Sequence, residues 1–375
     1  MIRIWSGGAF PALRRARAAR VGDSHIRRLL PLMLPTAWGV AAVTWKIACP
    51  QEQPESLGER IVTGVVFFTV GAGLVLGIRR ELSRELKRVR EIAHAAQRVL
   101  LRPLPPRLDG LALAAGQLSV SRGAVVGGDL YEAVATPYGV RIVIGDVRGH
   151  GLPAIGAVAA VLGSFREAAY DEPELGGVLR RLDRAIERHL RERARDEHPA
   201  ACGGEPQSPS AEEFVTVLLL EIGADGGVAA INCGHPCPYH LRCRGVAPLA
   251  CGEPLPPLGL FPLPAELPVH RCARVLPGEG LFLHTDGAAD ARDASGKFFG
   301  LEAVLAEAVL AKNALGSPVS PAAVITSVHS QLLRHTGGRL ADDVALLVLR
   351  NDRSRVPTQC GDTALRRTRR EPSNR

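Results

Sequence analysis

Two stretches decide how this chain is read: Val126-Gly-Gly-Asp-Leu-Tyr-Glu132 and, after a short hairpin, Ile142-Val-Ile-Gly-Asp-Val-Arg-Gly-His-Gly151. Asp129 and Asp146 each stand at a strand end beside glycine, where a missing Cβ lets backbone turn sharply and a small ligand come close. The apolar run Val140 to Ile144 leads into Asp146, as a buried strand delivering a carboxylate to the rim of a sheet. The arrangement returns twice downstream. Leu281-Phe-Leu-His-Thr-Asp-Gly287 is a strand ending at Asp286, and Leu340-Ala-Asp-Asp-Val-Ala-Leu-Leu-Val-Leu349 places Asp342 and Asp343 at the start of another. A single Asp-Gly pair is usually a plain turn, but the ordered set asks for a cation. Two carboxylates ~4 Å apart repel by about 4 kcal/mol at an effective dielectric of ~20, so a cluster persists only when protonated or neutralised by metal. An all-oxygen ligand set suits Mg²⁺ or Mn²⁺ rather than zinc.

The pieces, in order, are Gly127-Gly-Asp-Leu-Tyr131, Gly145-Asp-Val-Arg-Gly-His-Gly-Leu-Pro-Ala154, Phe214-Val-Thr216, Asn232-Cys-Gly-His-Pro236, Thr285-Asp-Gly287 and Ala341-Asp-Asp-Val-Ala-Leu-Leu347. Together they resemble the stage II sporulation protein E (SpoIIE) branch of the protein phosphatase 2C family, over residues 105 to 351. The resemblance implies an α+β fold, a sandwich of two antiparallel sheets with helices on both outer faces (αββα), and a metal-dependent phosphoserine/phosphothreonine phosphatase. It implies that Asp146 bridges two Mn²⁺ or Mg²⁺ ions, with the Val147 carbonyl on one of them and Asp286 and Asp342 completing the other's shell. Asp129 then acts through the inner or outer shell, and Asp343 orients or ligates. Two ions ~4 Å apart lower the pKa of a shared water and neutralise phosphoryl oxygens, so in-line attack needs no covalent phospho-enzyme. By family analogy the substrate is a phosphorylated regulatory protein, such as an anti-sigma-factor antagonist. Two positions depart from the pattern: Glu132 stands where Asp is usual, and Ala288-Ala289 replaces a bulky-acidic pair.

Arg148 and His150 each carry two readings. Arg148 either pairs bidentately with the substrate phosphate or is a surface guanidinium near Asp129 or Glu132. His150 either protonates the leaving serine oxygen or fixes the glycine turn at the start of the next helix. In Asn232–Pro236, which looks like a family structural turn, His235 is expected to be hydrogen-bonded.

The chain of 375 residues carries a net charge of +8 and is 46% hydrophobic, with a mean hydropathy of +0.07. The aromatic fraction is only 4% and no nucleic-acid fold signature is visible, so the arginine clusters are not read as a nucleic-acid surface. They flank two uncharged stretches, Leu29 to Trp45 and Ile61 to Ile78, each near the lower edge of the ~17–25 residues that cross a bilayer. The expectation is therefore a basic cytoplasmic N-terminus over 1–28, a two-span transmembrane hairpin over 29–78, and a catalytic domain on the cytoplasmic side of the cell membrane. A helical linker, 79–104, carries a heptad-like seam (Leu82, Leu86, Val89, Ala93, Ala96, Leu100) that is either a homodimer contact or a spacer's packing stripe. Pro103, Pro105 and Pro106 end it. The phosphatase domain follows over 105–351, with a flexible insertion at 196–213 and a basic tail, 352–375, expected to be disordered.

Eight cysteines invite a zinc or disulfide reading, but Cys233, Cys237, Cys243 and Cys251 are spaced by four, six and eight, which matches no common zinc pattern. Reduced thiols are expected. A second functional class stays open: a catalytically weak scaffold that binds a phosphoprotein without turning it over. A complete set of carboxylates favours the enzyme.

Overall fold

The central strands of this domain are largely apolar on both faces because both faces are covered. In β4 (Gly139–Val147) Ile142 and Ile144 point one way, Val143 and Val147 the other, and all four are buried. The structure, a computed structural model, describes residues 38–40, 44, 57–118, 127–149, 152–197, 213–242, 245–313 and 320–353. The chain divides into two units, Met1–Val89 and Arg90–Arg375.

The second unit contains two antiparallel sheets. The six-stranded sheet runs β1 (Arg107–Leu108), β2 (Leu111–Leu118), β11 (Val344–Asn351), β10 (Gly280–His284), β7 (Tyr239–Arg242) and β8 (Gly245–Pro248). The five-stranded sheet runs β3 (Asp129–Thr136), β4, β5 (Val215–Ile222), β6 (Gly227–Cys233) and β9 (His270–Arg274). Their inner faces share one core, in which Ile142, Ile144, Leu218 and Leu220 meet Leu281, Leu283, Leu347 and Leu349. Helices α2 (Leu152–Asp171) and α3 (Leu175–Glu197) cover the outer face of the five-stranded sheet, against Val143, Val217 and Leu219. Helices α5 (Leu301–Asn313) and α6 (Pro321–His335) cover the other outer face, against Phe282, Leu346 and Val348. Between them comes a single turn, α4 (Asp286–Ala289). This is the expected αββα sandwich. Strands β1, β8 and β9 and the turn α4 are too short or too polar to announce themselves in the sequence.

Arg141 is fully buried in β4 and ties the helical layer down. Its Nε donates to Glu221 Oε2 at 2.8 Å, and its Nη atoms donate to the carbonyls of Ala169, Glu172 and Pro173. Those carbonyls close the end of α2, where the helix has no internal donors left.

The membrane expectation fails. Ile61–Ile78 is not a self-contained apolar segment but the early part of α1 (Leu57–Leu100), which continues without a break through Arg79, Arg80, Glu81, Arg84 and Lys87. Among the described residues no helix is long and apolar enough to cross a membrane. The two-span hairpin, and the cell-membrane location drawn from it, are thereby overturned. Most of Leu29–Trp45, the basic segment 1–28, most of the insertion and nearly all of the tail lie outside the described residues. Of the candidate dimer seam, Leu82 is exposed and Leu100 half-buried.

Candidate active site

Four chain segments bring five aspartates to one end of the sandwich. Asp129 opens β3 and Asp146 sits near the end of β4, and the two are direct antiparallel partners. Asp286 follows β10, while Asp342 and Asp343 precede β11, the strand paired to β10. Thr285 ties the two sheets together. Its Oγ1 donates to Asp129 Oδ2 at 3.2 Å and accepts the Ala345 N–H at 2.9 Å. The Asp343 N–H donates to Asp342 Oδ1 at 2.8 Å.

The glycines beside Asp129 have a steric reason. A Cβ on Gly128 would collide with the Val147 carbonyl oxygen and stand 2.9 Å from Asp146 Oδ1. One on Gly127 would strike the Asp343 carboxylate. Backbone without side chains lets Asp146, Asp343 and the Val147 carbonyl crowd one spot, and Val147 N–H donates to Gly128 O at 3.2 Å to hold it there. Gly128→Ala is expected to weaken Mn²⁺ binding by about 10–100-fold, the usual cost of displacing the groups that orient ligands. Calorimetric titration checks this, and an unchanged affinity would contradict it.

Electrostatics mark the same place. Asp129, 2% exposed, has its pKa raised well above the usual carboxylate range, first by burial and then by the charges of Asp146 and Asp343. Asp146 is pushed up to about 7 by burial and by Asp286, Asp342 and Asp343. Asp286 is raised as well, by desolvation and then by Asp342, although the residue is largely exposed. These carboxylates destabilise one another's charged forms. Among the described residues, however, no three His, Cys, Asp or Glu side chains already stand as a closed metal-ligand set.

Arg148 is exposed. Its N–H donates to Phe214 O at 2.8 Å and its guanidinium lies 5.2 Å from the Phe214 ring centroid. It is therefore not a partner of Glu132, which is buried and paired with Arg166 at 2.6 Å. His150 lies outside the described residues. Val147 is buried, with its carbonyl turned toward the Gly128 backbone. Thr216 and Thr285 carry no role of their own in the sequence reading, though each lies within a quoted motif. Thr216 Oγ1 donates to the Asp146 carbonyl at 3.4 Å and contacts His235 Nδ1 at 3.1 Å. As expected of the Asn232 turn, His235 is hydrogen-bonded within it: its N–H donates to Asn232 Oδ1, and Asn232 Nδ2 donates back to His235 O, both at 2.8 Å. Burial pushes the His235 imidazole down to about 3, so it is neutral.

Fold and site together are those of an αββα sandwich with an acidic centre at one end of its two sheets. The family model of stage II sporulation protein E (SpoIIE) matches residues 136–352, more than half of the chain, and the chain belongs to that family. Among solved structures, the SiaA-PP2C domain of Pseudomonas aeruginosa is 16% identical, with a TM-score of 0.51 over 73% of this chain and 98% of that one. The RsbU and RsbW domains of Rv1364c from Mycobacterium tuberculosis are 24% identical, with a TM-score of 0.46 over 64% of this chain. The chain spans 60% of the length of that structure. The catalytic domain of the serine/threonine phosphatase PstP in complex with two manganese ions is 17% identical, with a TM-score of 0.42 over 64% of this chain and 97% of that one.

Proposed function

We propose that the chain hydrolyses phosphoserine or phosphothreonine on a regulatory protein, with two Mn²⁺ or Mg²⁺ ions held by the aspartate cluster. The observation that carries this reading is the convergence of Asp129, Asp146 and Asp343 on one glycine-lined spot, with Asp342 bonded to Asp343 and Asp286 on the paired strand's end. The donor set fits such ions: it is all oxygen, rich in carboxylate, and includes a backbone carbonyl. When bound, the ions supply Lewis acidity and a water of lowered pKa.

The rest falls to this chain's own groups. Asp146, flanked by Asp129 and the Val147 carbonyl, holds the centre of the site, with Asp286 and Asp342 on the other side. Asp343 orients Asp342 through its backbone N–H. Thr285 keeps the Asp129 carboxylate turned toward the cluster. Arg148, at the rim, offers a guanidinium to the incoming phosphate, and His150 is a candidate proton donor to the leaving oxygen. A small regulatory phosphoprotein, such as an anti-sigma-factor antagonist, is the substrate class this family reading suggests. The domain is assigned to residues 105–351, after a helical linker.

A test is phosphate release from a phosphoserine peptide by the full chain, with and without Mn²⁺. Metal-dependent turnover is expected. Stoichiometric phosphopeptide binding without release would establish the scaffold reading instead.

Protons compete with the metal. A carboxyl whose folded-state pKa lies above its unfolded value binds the proton more tightly when folded. The stabilisation this gives the metal-free protein is full below about pH 4 and is lost as pH rises through about 7. Apparent Mn²⁺ affinity should therefore fall as pH drops below 7, and binding at pH 6 should release protons. Calorimetry in buffers of different ionisation enthalpy measures that release, and a pH-independent affinity between 5 and 7 would contradict it.

A further inference from the structure

On the outer face of the six-stranded sheet, beside its acidic end, lies a cleft of about 610 Å³ that none of the aspartates line. Tyr239, Ala289, Phe299, Leu301 and Ala306 line it, together with the exposed Glu302. Two connections tie it to the acidic site. Ala289 ends the turn α4 that Asp286 begins, three residues or roughly 5 Å along a helix. Tyr239 pairs with Phe282 in β10, the strand that leads to Asp286, and its ring stacks on His284 with centroids 5.7 Å apart. The chain itself fixes another wall. Phe299 N–H donates to Ala291 O at 2.8 Å, and the Phe299 ring lies 5.4 Å from that of His335, whose Nε2 is 2.9 Å from the Lys297 carbonyl. Ala289 is one of the two alanines that replace a bulky-acidic pair of the family pattern, and a longer side chain there would take up part of this space.

We propose that this cleft receives an apolar side chain of the phosphoprotein substrate, about two or three residues from the phosphoserine, and that Glu302 pairs with a basic residue beside it. The reach fits, because an extended segment advances ~3.4 Å per residue, so a phosphate held at the aspartates brings such a side chain to Ala289. The walls fit as well: Phe299, Leu301, Ala289 and Ala306 offer hydrocarbon to the occupant. Charge supplies the second contact. Glu302 forms no ion pair among the described residues, so a cationic side chain meets a carboxylate that no arginine already holds. Binding energy gathered here, away from the reacting phosphorus, selects which phosphoserine is presented to the aspartates. The inference rests on the phosphatase reading for the group that anchors the segment, a phosphoserine at the acidic site.

Alanine-rich peptides carrying a non-hydrolysable phosphonate in place of phosphoserine, with one leucine walked through the flanking positions, are titrated against the full chain in Mn²⁺ by fluorescence anisotropy. At one position leucine is expected to bind about tenfold more tightly than alanine, part of the gain from burying such a side chain. Arginine next to that leucine is expected to add about threefold, the scale of an exposed ion pair. Ala306→Phe, which fills the cleft, should cut the leucine preference to about twofold or less. Glu302→Gln, at the exposed start of α5, should abolish the arginine effect and keep the leucine preference, and it tests the site even where Ala306→Phe does not fold. Phosphate release from the matching phosphoserine peptides is measured alongside. Absence of a leucine preference at every position overturns the subsite, and the release shows separately whether the phosphatase reading stands. A leucine preference without release supports the subsite and overturns catalysis. A leucine preference that survives Ala306→Phe, or an arginine effect that survives Glu302→Gln, would also overturn the assignment.

Discussion

Asp146→Asn is expected to lower Mn²⁺-dependent hydrolysis by at least about a thousandfold, on the order of 4 kcal/mol of transition-state stabilisation at about 1.4 kcal/mol per tenfold. Asparagine keeps the shape and can still offer one oxygen, but it lacks the negative charge that would hold divalent cations. The same substitution should make the metal-free protein more stable at pH 8. It removes a carboxylate that burial and the charges of Asp286, Asp342 and Asp343 push up to about 7. Relief of about 1 kcal/mol would raise the melting temperature by ~2–4 °C for a domain of this size. Activity and stability therefore move in opposite directions, which a residue with a merely structural role would not do. Phosphate release with Mn²⁺ and thermal melts in chelator check the pair. An Asp146→Asn protein that hydrolyses normally, or melts lower than the parent without metal, would contradict the assignment.

Arg141→Met is expected to cost about 3–5 kcal/mol of stability, the range for breaking a buried ionic contact by deleting one partner. The guanidinium is fully buried and serves Glu221 and three carbonyls at once. Methionine fills much of the space but leaves those carbonyls without donors, at the point where α2 ends over β4. Arg141→Lys should recover little, because an ammonium cannot reproduce the fork that spans Ala169, Glu172 and Pro173. Glu221→Gln should cost less than Arg141→Met, since Glu221 is half-buried and water can replace part of its pairing. Urea unfolding of the three variants measures the series. A loss below about 1 kcal/mol for Arg141→Met would refute the tie.

Much of this was legible in the chain itself, for identifiable reasons. β4, β5, β10 and β11 are largely apolar stretches, a pattern that follows from burial on both faces. The aspartates stand out because each lies where such a run begins or ends. Arg141 was not recognised, because its partners lie in a strand eighty residues away and at a helix end, and neither pairing leaves a local pattern. A charged residue inside Val140–Ile144, with Glu221 similarly placed in β5, is the signal that was there to be found. Thr285 was quoted only as part of a motif, since its bond to Asp129 crosses from one sheet to the other. The transmembrane reading failed because composition alone does not show where a helix begins and ends. Ile61–Ile78 belongs to a longer helix whose later turns are highly charged.

The central claim is that five distant aspartates and one backbone carbonyl gather divalent cations. It is tested most directly by anomalous diffraction at the manganese edge, from crystals of the full chain soaked in Mn²⁺. Two peaks among Asp129, Asp146, Asp286 and Asp342, with the Val147 carbonyl oxygen in contact with one of them, are the predicted result. Manganese found only elsewhere on the molecule, or a cluster left without peaks at saturating Mn²⁺ and pH 8, would contradict it.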